Sequence, residues 1–187
     1  MLDGSVETIV EGMTETGYLL AAPEPEIDLG KSSWMVRQYY KIWYQLPYIR
    51  SGIVGTCSFV ASYEGRQRFH QFPDVISDDG FIRAQFDDHE RGNIAGSRIR
   101  IHAPRNLRSL IKIKTRSQLG LMELRARQLT RFKEKKTYSV SLSSFLLGKD
   151  CLAVCIYISL ALFMKLRARM QFRSLDAYQW EVDRSSR

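Results

Sequence analysis

The chain contains 187 residues, of which 44% are hydrophobic and 26% are charged. This composition excludes a disordered or fibrous protein, and the length favours one domain with a sizeable core over two. The net charge of +8 is uneven: residues 1–97 hold 8 Lys and Arg against 14 Asp and Glu (−6), and residues 98–187 hold 20 against 6 (+14). The basic half favours phosphate groups or an anionic membrane as partner, although a solvated helical surface explains it equally well.

The first part of the chain alternates between helical and extended patterns. Apolar residues at helical spacing predict a first helix that ends at Gly17. The run 18–22 then predicts a short buried strand, which we expect Pro23 and Pro25 to stop. Two serines introduce an aromatic-rich helix over 34–44.

The middle of the chain continues this alternation. Residues 53–62 predict a strand, and residues 63–72 predict a short helix. Residues 92–96 contain two glycines and predict a loop, whereas polar and apolar residues alternate over 98–103 and predict a strand with one wet face. Pro104 is expected in the first turn of a long basic helix. Strands that alternate with helices predict an α/β fold.

The last part of the chain predicts a polar connector over 133–144 and an apolar helix over 151–164. About 14 apolar residues are fewer than the roughly 20 that span a bilayer. We therefore favour a buried helix over an interfacial helix with snorkelling cations, and both over a true span.

Cysteine and histidine usage argues against a zinc site. No C-x-x-C pair is present, and the three histidines are scattered. Cys57, Cys151 and Cys155 are expected to be buried small hydrophobes in a reducing compartment. The N-terminus lacks the pattern of a secretory signal, so we expect a cytoplasmic protein.

Two further surfaces have alternative interpretations. Aromatic residues cluster around the second helix and could stack on sugar rings, but helical spacing favours a core. They are Trp34, Tyr39, Tyr40, Trp43, Tyr44 and Tyr48. The basic helix within 105–136 could attract nucleic acid, but it contains no recognisable nucleic-acid-binding motif, so nucleic acid is a disfavoured partner.

Two adjacent carboxylates, Asp78 and Asp79, precede an apolar pattern of helical spacing. At the start of a helix one carboxylate can be held as a base while the other caps the backbone. Taken alone, the pair is more typical of a cap with turn chemistry.

The order of several segments changes that interpretation. Together they resemble the later half of a family 2, GT-A-type glycosyltransferase, which has a nucleotide-diphospho-sugar transferase fold. The resemblance runs from residue 1 to about residue 128. It rests on the strand Leu20-Ala21-Ala22-Pro23, the glycine-containing strand 51–58, the acidic motif 75–81, and the strand 101–104 followed by Arg116-Ser117-Gln118-Leu119-Gly120.

The resemblance implies a role for each matched residue. Asp79 would be the base that deprotonates an acceptor hydroxyl, and Asp78 would orient the loop or cap the helix. Arg116 would neutralise the leaving diphosphate, and Gly52 and Gly55 would lie on the acceptor side. The substrates would be a nucleotide-diphospho-sugar and a hydroxyl acceptor, as in the synthesis of a cell-surface glycan or glycolipid.

The chain departs from the family in two ways. Ile113 and Ser117 stand where processive members have the glutamine and tryptophan of Q-x-x-R-W, which favours transfer of single sugars. The N-terminal nucleotide-binding strands and the D-x-D motif, which would bind Mg²⁺ or Mn²⁺ in the complete domain, should precede the first helix. No residue of this chain can be assigned to the metal.

These departures predict a fragment. Residues 1–132 would be the acceptor-side half of a GT-A domain, and residues 133–187 a basic, partly apolar helical extension. The missing strands would leave an unpaired sheet edge through which the chain could self-associate. Whether the chain is an enzyme stays open. The alternative is an inactive binding or scaffold module whose basic face contacts an anionic membrane or nucleic acid.

Overall fold

Three strands form a small mixed sheet flanked by helices, which confirms the α/β prediction. The computed structural model describes residues 5–46, 49, 53, 58–132 and 150–175. In chain order the elements are α1 (Ser5–Thr16), β1 (Leu20–Asp28), α2 (Trp34–Trp43), β2 (Val60–Ala61), α3 (Tyr63–Arg66), α4 (Asp78–Arg83), β3 (Arg91–His102), α5 (Leu107–Ala126) and α6 (Cys151–Phe172).

The sheet has the order β2-β1-β3, in which β1 pairs antiparallel with β2 and parallel with β3. The parallel register runs from Leu20 opposite Arg91 to Asp28 opposite His102. It contains one irregularity, because Pro23 lies opposite Ile94 while the next residue lies opposite Arg98. A bulge in β3 therefore absorbs the extra residues.

The two prolines do not stop β1, which corrects the first strand prediction. β2 pairs only with Leu20 and Ala21, so among the described residues the side of β1 away from β3 has no strand partner beyond that point. A proline without an N–H is tolerated at such a free edge. The carbonyl of Pro23 is still used, since it accepts a hydrogen bond from the Asn93 amide at 2.8 Å.

The predicted loop over 92–96 is also wrong, because β3 passes through it. Gly92 approaches Tyr18 so closely that an added Cβ would lie 2.4 Å from its ring, and Gly96 has φ +83° at the bulge. These glycines permit a close contact and a kink within a strand rather than a turn between strands. The later half of β3 has one wet face, as predicted, since Arg98, Arg100 and His102 are exposed.

Some helix boundaries agree with the predictions from the sequence, and others do not. α1 and α2 are confirmed, and Gly17 adopts φ +72° directly after α1. The helix predicted over 63–72 is limited to the four residues of α3. α5 begins at Leu107 instead of at Pro104, because the side chain of Asn106 accepts a hydrogen bond from the Ser109 N–H at 2.9 Å and caps the helix.

The strand predicted over 53–62 is reduced to Val60–Ala61 in the described part of the chain. Ile53 is buried but has no strand conformation. Other predictions lie outside the described residues: Tyr48, Gly52, Gly55, Cys57 and the connector 133–144, next to the proposed domain boundary at residue 132.

The largest core cluster joins α2, α5 and α6. Tyr39, Tyr40 and Trp43 are buried in it, which confirms the core interpretation for these three aromatics, whereas Trp34 and Tyr44 are exposed. The ammonium of Lys114 on α5 lies 4.0 Å from the centroid of the Trp43 ring. This cation–π contact joins α5 to α2 in addition to apolar packing.

α6 departs from the buried helix that we expected over 151–164. It extends to Phe172, and one third (33%) of its most apolar 18-residue window is buried. By length and composition it could cross a membrane. Cys151 and Cys155 are exposed on it, which contradicts their predicted burial.

An ion pair between Arg68 and Glu90 fixes the start of the sheet. The guanidinium donates to both carboxylate oxygens of Glu90, one of them at 2.7 Å. The backbone carbonyl of Glu90 accepts from the N–H groups of Leu19 and Leu20 at 2.8 and 3.2 Å. The hydrogen bonds from Arg68 lower the pKa of Glu90 from its ordinary value of 4.5 to about 2.

We predict that Glu90→Gln lowers the free energy of unfolding by about 1.5–3 kcal/mol at neutral pH, the value of hydrogen bonds to a charged group. Because the pKa is lower in the folded state, the wild-type stabilisation is complete above the ordinary carboxyl pKa of 4.5 and is lost as pH falls towards about 2. Chemical denaturation at several pH values measures both effects. Glu15→Gln, at an exposed position on α1, is the control; an equal loss of stability in it would contradict the assignment.

Candidate functional site

The acid pair lies in the first turn of α4, and a serine caps that helix. The Ser77 hydroxyl oxygen accepts a hydrogen bond from the Gly80 N–H at 3.2 Å and donates one to Asp79 Oδ1 at 2.7 Å. Asp78 Oδ1 accepts from the Asp79 N–H at 2.8 Å. The cap is therefore Ser77, so of the two roles expected for Asp78 only that of orienting the loop is left.

Asp79 is held by local hydrogen bonds while its side chain stays exposed. The Ser77 hydroxyl and the Gly80 N–H, at 2.8 Å, both donate to the same oxygen, Oδ1. The second oxygen, Oδ2, is the one that can face a substrate hydroxyl. A carboxylate oriented in this way is suited to accept a proton.

The loop before α4 is attached to α5 by a buried carboxylate. Glu123 Oε2 accepts from the Ile76 N–H at 2.8 Å, and its Oε1 accepts from Arg127 at 3.1 Å. Arg127 also donates to the backbone carbonyl of Asp74 at 2.6 Å. The loop 74–77 is thus held at both ends, and the acid pair starts from a fixed backbone.

Two glycines allow this loop and the two helices to approach closely. A Cβ added at Gly120 would lie 2.5 Å from Ser77 Cβ and 3.1 Å from its backbone nitrogen. A Cβ added at Gly80 would lie 2.5 Å from Ser77 Oγ and 3.2 Å from Leu124 Cδ1. A larger side chain at Gly120 would push α5 away from the loop before the acid pair, and one at Gly80 would collide with the capping hydroxyl of Ser77.

Arg116 lies on α5 one turn before Gly120. Residues four apart share a helix face, with about 5–6 Å between their Cβ positions. Gly120 contacts Ser77, so the loop that carries Asp78 and Asp79 packs on the helix that carries Arg116, whose side chain is half-buried.

The glycine pair of the predicted acceptor side lies outside the described residues. Ile53, which stands between Gly52 and Gly55, is described and buried among the same apolar residues as Phe81 of α4. Its carbonyl accepts a hydrogen bond from Arg83 at 3.2 Å. At this one point the segment that contains the glycines contacts the helix that carries the acid pair.

A cavity of about 590 Å³ adjoins the acid pair at Gly80, the residue after Asp79. Its wall is completed by the segment after α5, where the N–H groups of Arg131 and Phe132 donate to the Ala84 carbonyl at 3.0 Å. The remaining lining combines apolar and polar side chains: Ala84, Leu121, Arg125, Gln128, Thr130 and Phe132. Sequence reasoning missed this cavity, which depends on Gln128 having φ 54°.

Metal ligands are not assembled in this part of the molecule. The described residues contain no group of three His, Cys, Asp or Glu side chains that could hold an ion. Each carboxylate of the acid pair accepts a hydrogen bond from the backbone N–H of the residue that follows it. The donor set present here does not fit Mg²⁺ or Mn²⁺, so no chemical step is assigned to a metal.

We predict that Gly120→Val destabilises the fold by about 1–3 kcal/mol, because an added side chain collides with the Ser77 backbone. Ser117→Val is the matched control, since it introduces the same side chain at an exposed position of α5. Thermal unfolding compares the two variants. Equal stability would show that α5 does not need this close approach.

No protein-family model, curated protein or solved structure matches the sequence. The candidate site is therefore defined by its own geometry: an oriented carboxylate, a fixed loop and an arginine one helical turn away from the contact.

Proposed function

We propose that this chain is the acceptor-side part of a family 2 glycosyltransferase with a GT-A-type fold. It would transfer a single sugar from a nucleotide-diphospho-sugar to a hydroxyl acceptor. The observation that supports the proposal is the contact between Gly120 and Ser77, which joins the loop of the acid pair to the helix that carries Arg116.

In this proposal Asp79 is the catalytic base. The acceptor oxygen attacks the anomeric carbon of the donor sugar, and the bond from that carbon to the phosphate oxygen breaks. The electron pair leaves with the nucleotide diphosphate, and the hydroxyl proton passes to Asp79. The two hydrogen bonds on Oδ1 hold the carboxylate still while Oδ2 accepts the proton.

Arg116 has the complementary role at the leaving group. Negative charge increases on the diphosphate as the bond breaks, and a fixed guanidinium stabilises that charge with ionic hydrogen bonds. The cavity beside Gly80 offers space for the acceptor next to the base. Its apolar residues, Leu121 and Phe132, would cover a sugar face or a hydrocarbon, while Arg125 and Gln128 would bind polar groups.

The proposal also includes a metal ion, a cellular location and a route to self-association. The complete family domain would bind Mg²⁺ or Mn²⁺ at its D-x-D motif. The protein would be cytoplasmic, with a peripheral contact at the inner face of the plasma membrane. β3 lies at one edge of the described sheet and is the strand through which two copies could pair, although its exposed arginines oppose such pairing.

We predict that the full chain binds a uridine or guanosine diphospho-sugar and that Arg116→Gln weakens this binding about 10- to 100-fold. The loss corresponds to a hydrogen bond with a charged group. Calorimetry with and without Mn²⁺ measures the binding affinity. The control is Arg108→Gln, since Arg108 is an exposed arginine on the same helix. No binding under either condition would favour the inactive binding or scaffold module.

We further predict that, in a chain extended upstream by the nucleotide-binding part, Asp79→Asn lowers sugar transfer by a factor of about 10² to 10⁴ without a change in donor affinity, because the amide cannot accept the proton. Asp78→Asn, at the adjacent exposed position, should have a smaller effect. Release of nucleotide diphosphate in the presence of the acceptor measures turnover. Full turnover of the Asp79 variant would exclude this residue as the base.

A further inference from the structure

α6 has a packed side and an exposed side, and both are largely apolar. Over its 22 residues it is about 33 Å long. One side packs against α2 and α5, and the ring of Tyr157 lies 5.1 Å from that of Tyr39. The buried residues of this side are Ala153, Val154, Tyr157, Met164 and Ala168.

The opposite side of α6 exposes large apolar side chains to solvent. At 3.6 residues per turn they fall within an arc of about 140° around the helix and therefore form one stripe, which extends about 27 Å along the helix. Their exposed fractions lie between 36% and 70%. The stripe consists of Leu152, Ile158, Leu162, Phe163, Leu166 and Met170.

The charges on α6 have a single sign. Cys151–Phe172 contains no Asp or Glu, and the exposed cations Lys165, Arg169 and Arg173 lie at its C-terminal end. At 3.6 residues per turn Lys165 lies at the border of the apolar stripe and Arg169 lies just inside it, whereas Arg173 follows its last residue, Met170. Long basic side chains beside such a stripe can extend to phosphate groups while their methylene stems lie on apolar surface.

We propose that the exposed stripe of α6 docks on an anionic lipid surface, with the helix lying parallel to the bilayer plane. A helix that exposes an apolar side with cations next to it can lie in the membrane interface in this orientation. Crossing the bilayer would instead require α6 to leave its contacts with α2 and α5, including those of Tyr157 and Met164. A second copy packed parallel on the same face would bring cations against cations, with no carboxylate on α6 to pair with them.

Flotation of the full chain with lipid vesicles tests this proposal. We expect binding to vesicles of equal parts phosphatidylcholine and phosphatidylserine, much weaker binding to pure phosphatidylcholine, and a decrease as salt is added. Replacing Lys165, Arg169 and Arg173 together by Gln should weaken binding roughly 100-fold. Absence of binding to the anionic vesicles would overturn the proposal.

A pair of glutamates in the stripe tests the apolar contribution. Leu162→Glu with Leu166→Glu should abolish vesicle binding and leave the unfolding temperature unchanged, since both side chains are exposed. Val6→Glu with Val10→Glu on α1 is the matched control: the pair has the same spacing, and all four residues are between 52% and 56% exposed. An equal loss in this control would also overturn the proposal.

Sedimentation of the wild type and of the Leu162 and Leu166 variant separates a lipid surface from a protein partner. A dimer that becomes monomeric in this variant would show that a second copy covers the face, which contradicts the proposal. The Asp79→Asn chain should bind vesicles like the wild type. Loss of sugar transfer and loss of membrane binding are therefore distinguishable results.

Discussion

The close approach of α5 to the loop 74–77 is the constraint on which the candidate site depends. Gly120 has no side chain to keep the loop away, and the buried carboxylate of Glu123 is satisfied by the Ile76 N–H and by Arg127. Removing one partner of such a buried group leaves the other uncompensated, so the contact tolerates little change. The position of Asp79 relative to Arg116 follows from this backbone contact and requires no direct bond between the two side chains.

The same helix also organises the rest of the molecule. The N-terminal half of α5 contributes Leu110 to the core with α2 and α6, and its C-terminal half contributes Leu124 to the core around Phe81 and Phe86. Lys114, between them, lies over the aromatic rings of α2. A change in the position of α5 would therefore disturb both cores as well as the candidate site.

The sequence predicted well those elements in which the spacing of apolar residues matches their burial in the fold. α2 has its apolar residues on one buried side, so helical spacing and burial lead to the same assignment. The second half of β3 alternates exposed arginines with half-buried isoleucines because one face of the sheet meets solvent. The acid pair was likewise found at the start of a helix, where a serine, an aspartate and a glycine supply cap chemistry.

The errors arise where a tertiary contact overrides a local signal. Pro23 and Pro25 usually end a strand, but the partial pairing by β2 leaves β1 an edge that accepts them. Gly92 resembles a turn residue in the sequence, whereas its small size is required by Tyr18. The cavity beside Gly80 had no signal in the sequence, because residues from two helices and a left-handed backbone at Gln128 form it together.

The two proposed surfaces are related through α5, although neither depends on the other. α6 packs on the N-terminal half of α5 near Leu110, and the acid loop packs near Gly120, about 15 Å further along the helix axis. Because a helix of this length is stiff and both contacts are buried, the distance between the stripe on α6 and Asp79 is fixed by the fold. A bilayer bound by α6 would therefore lie at a constant distance from Asp79.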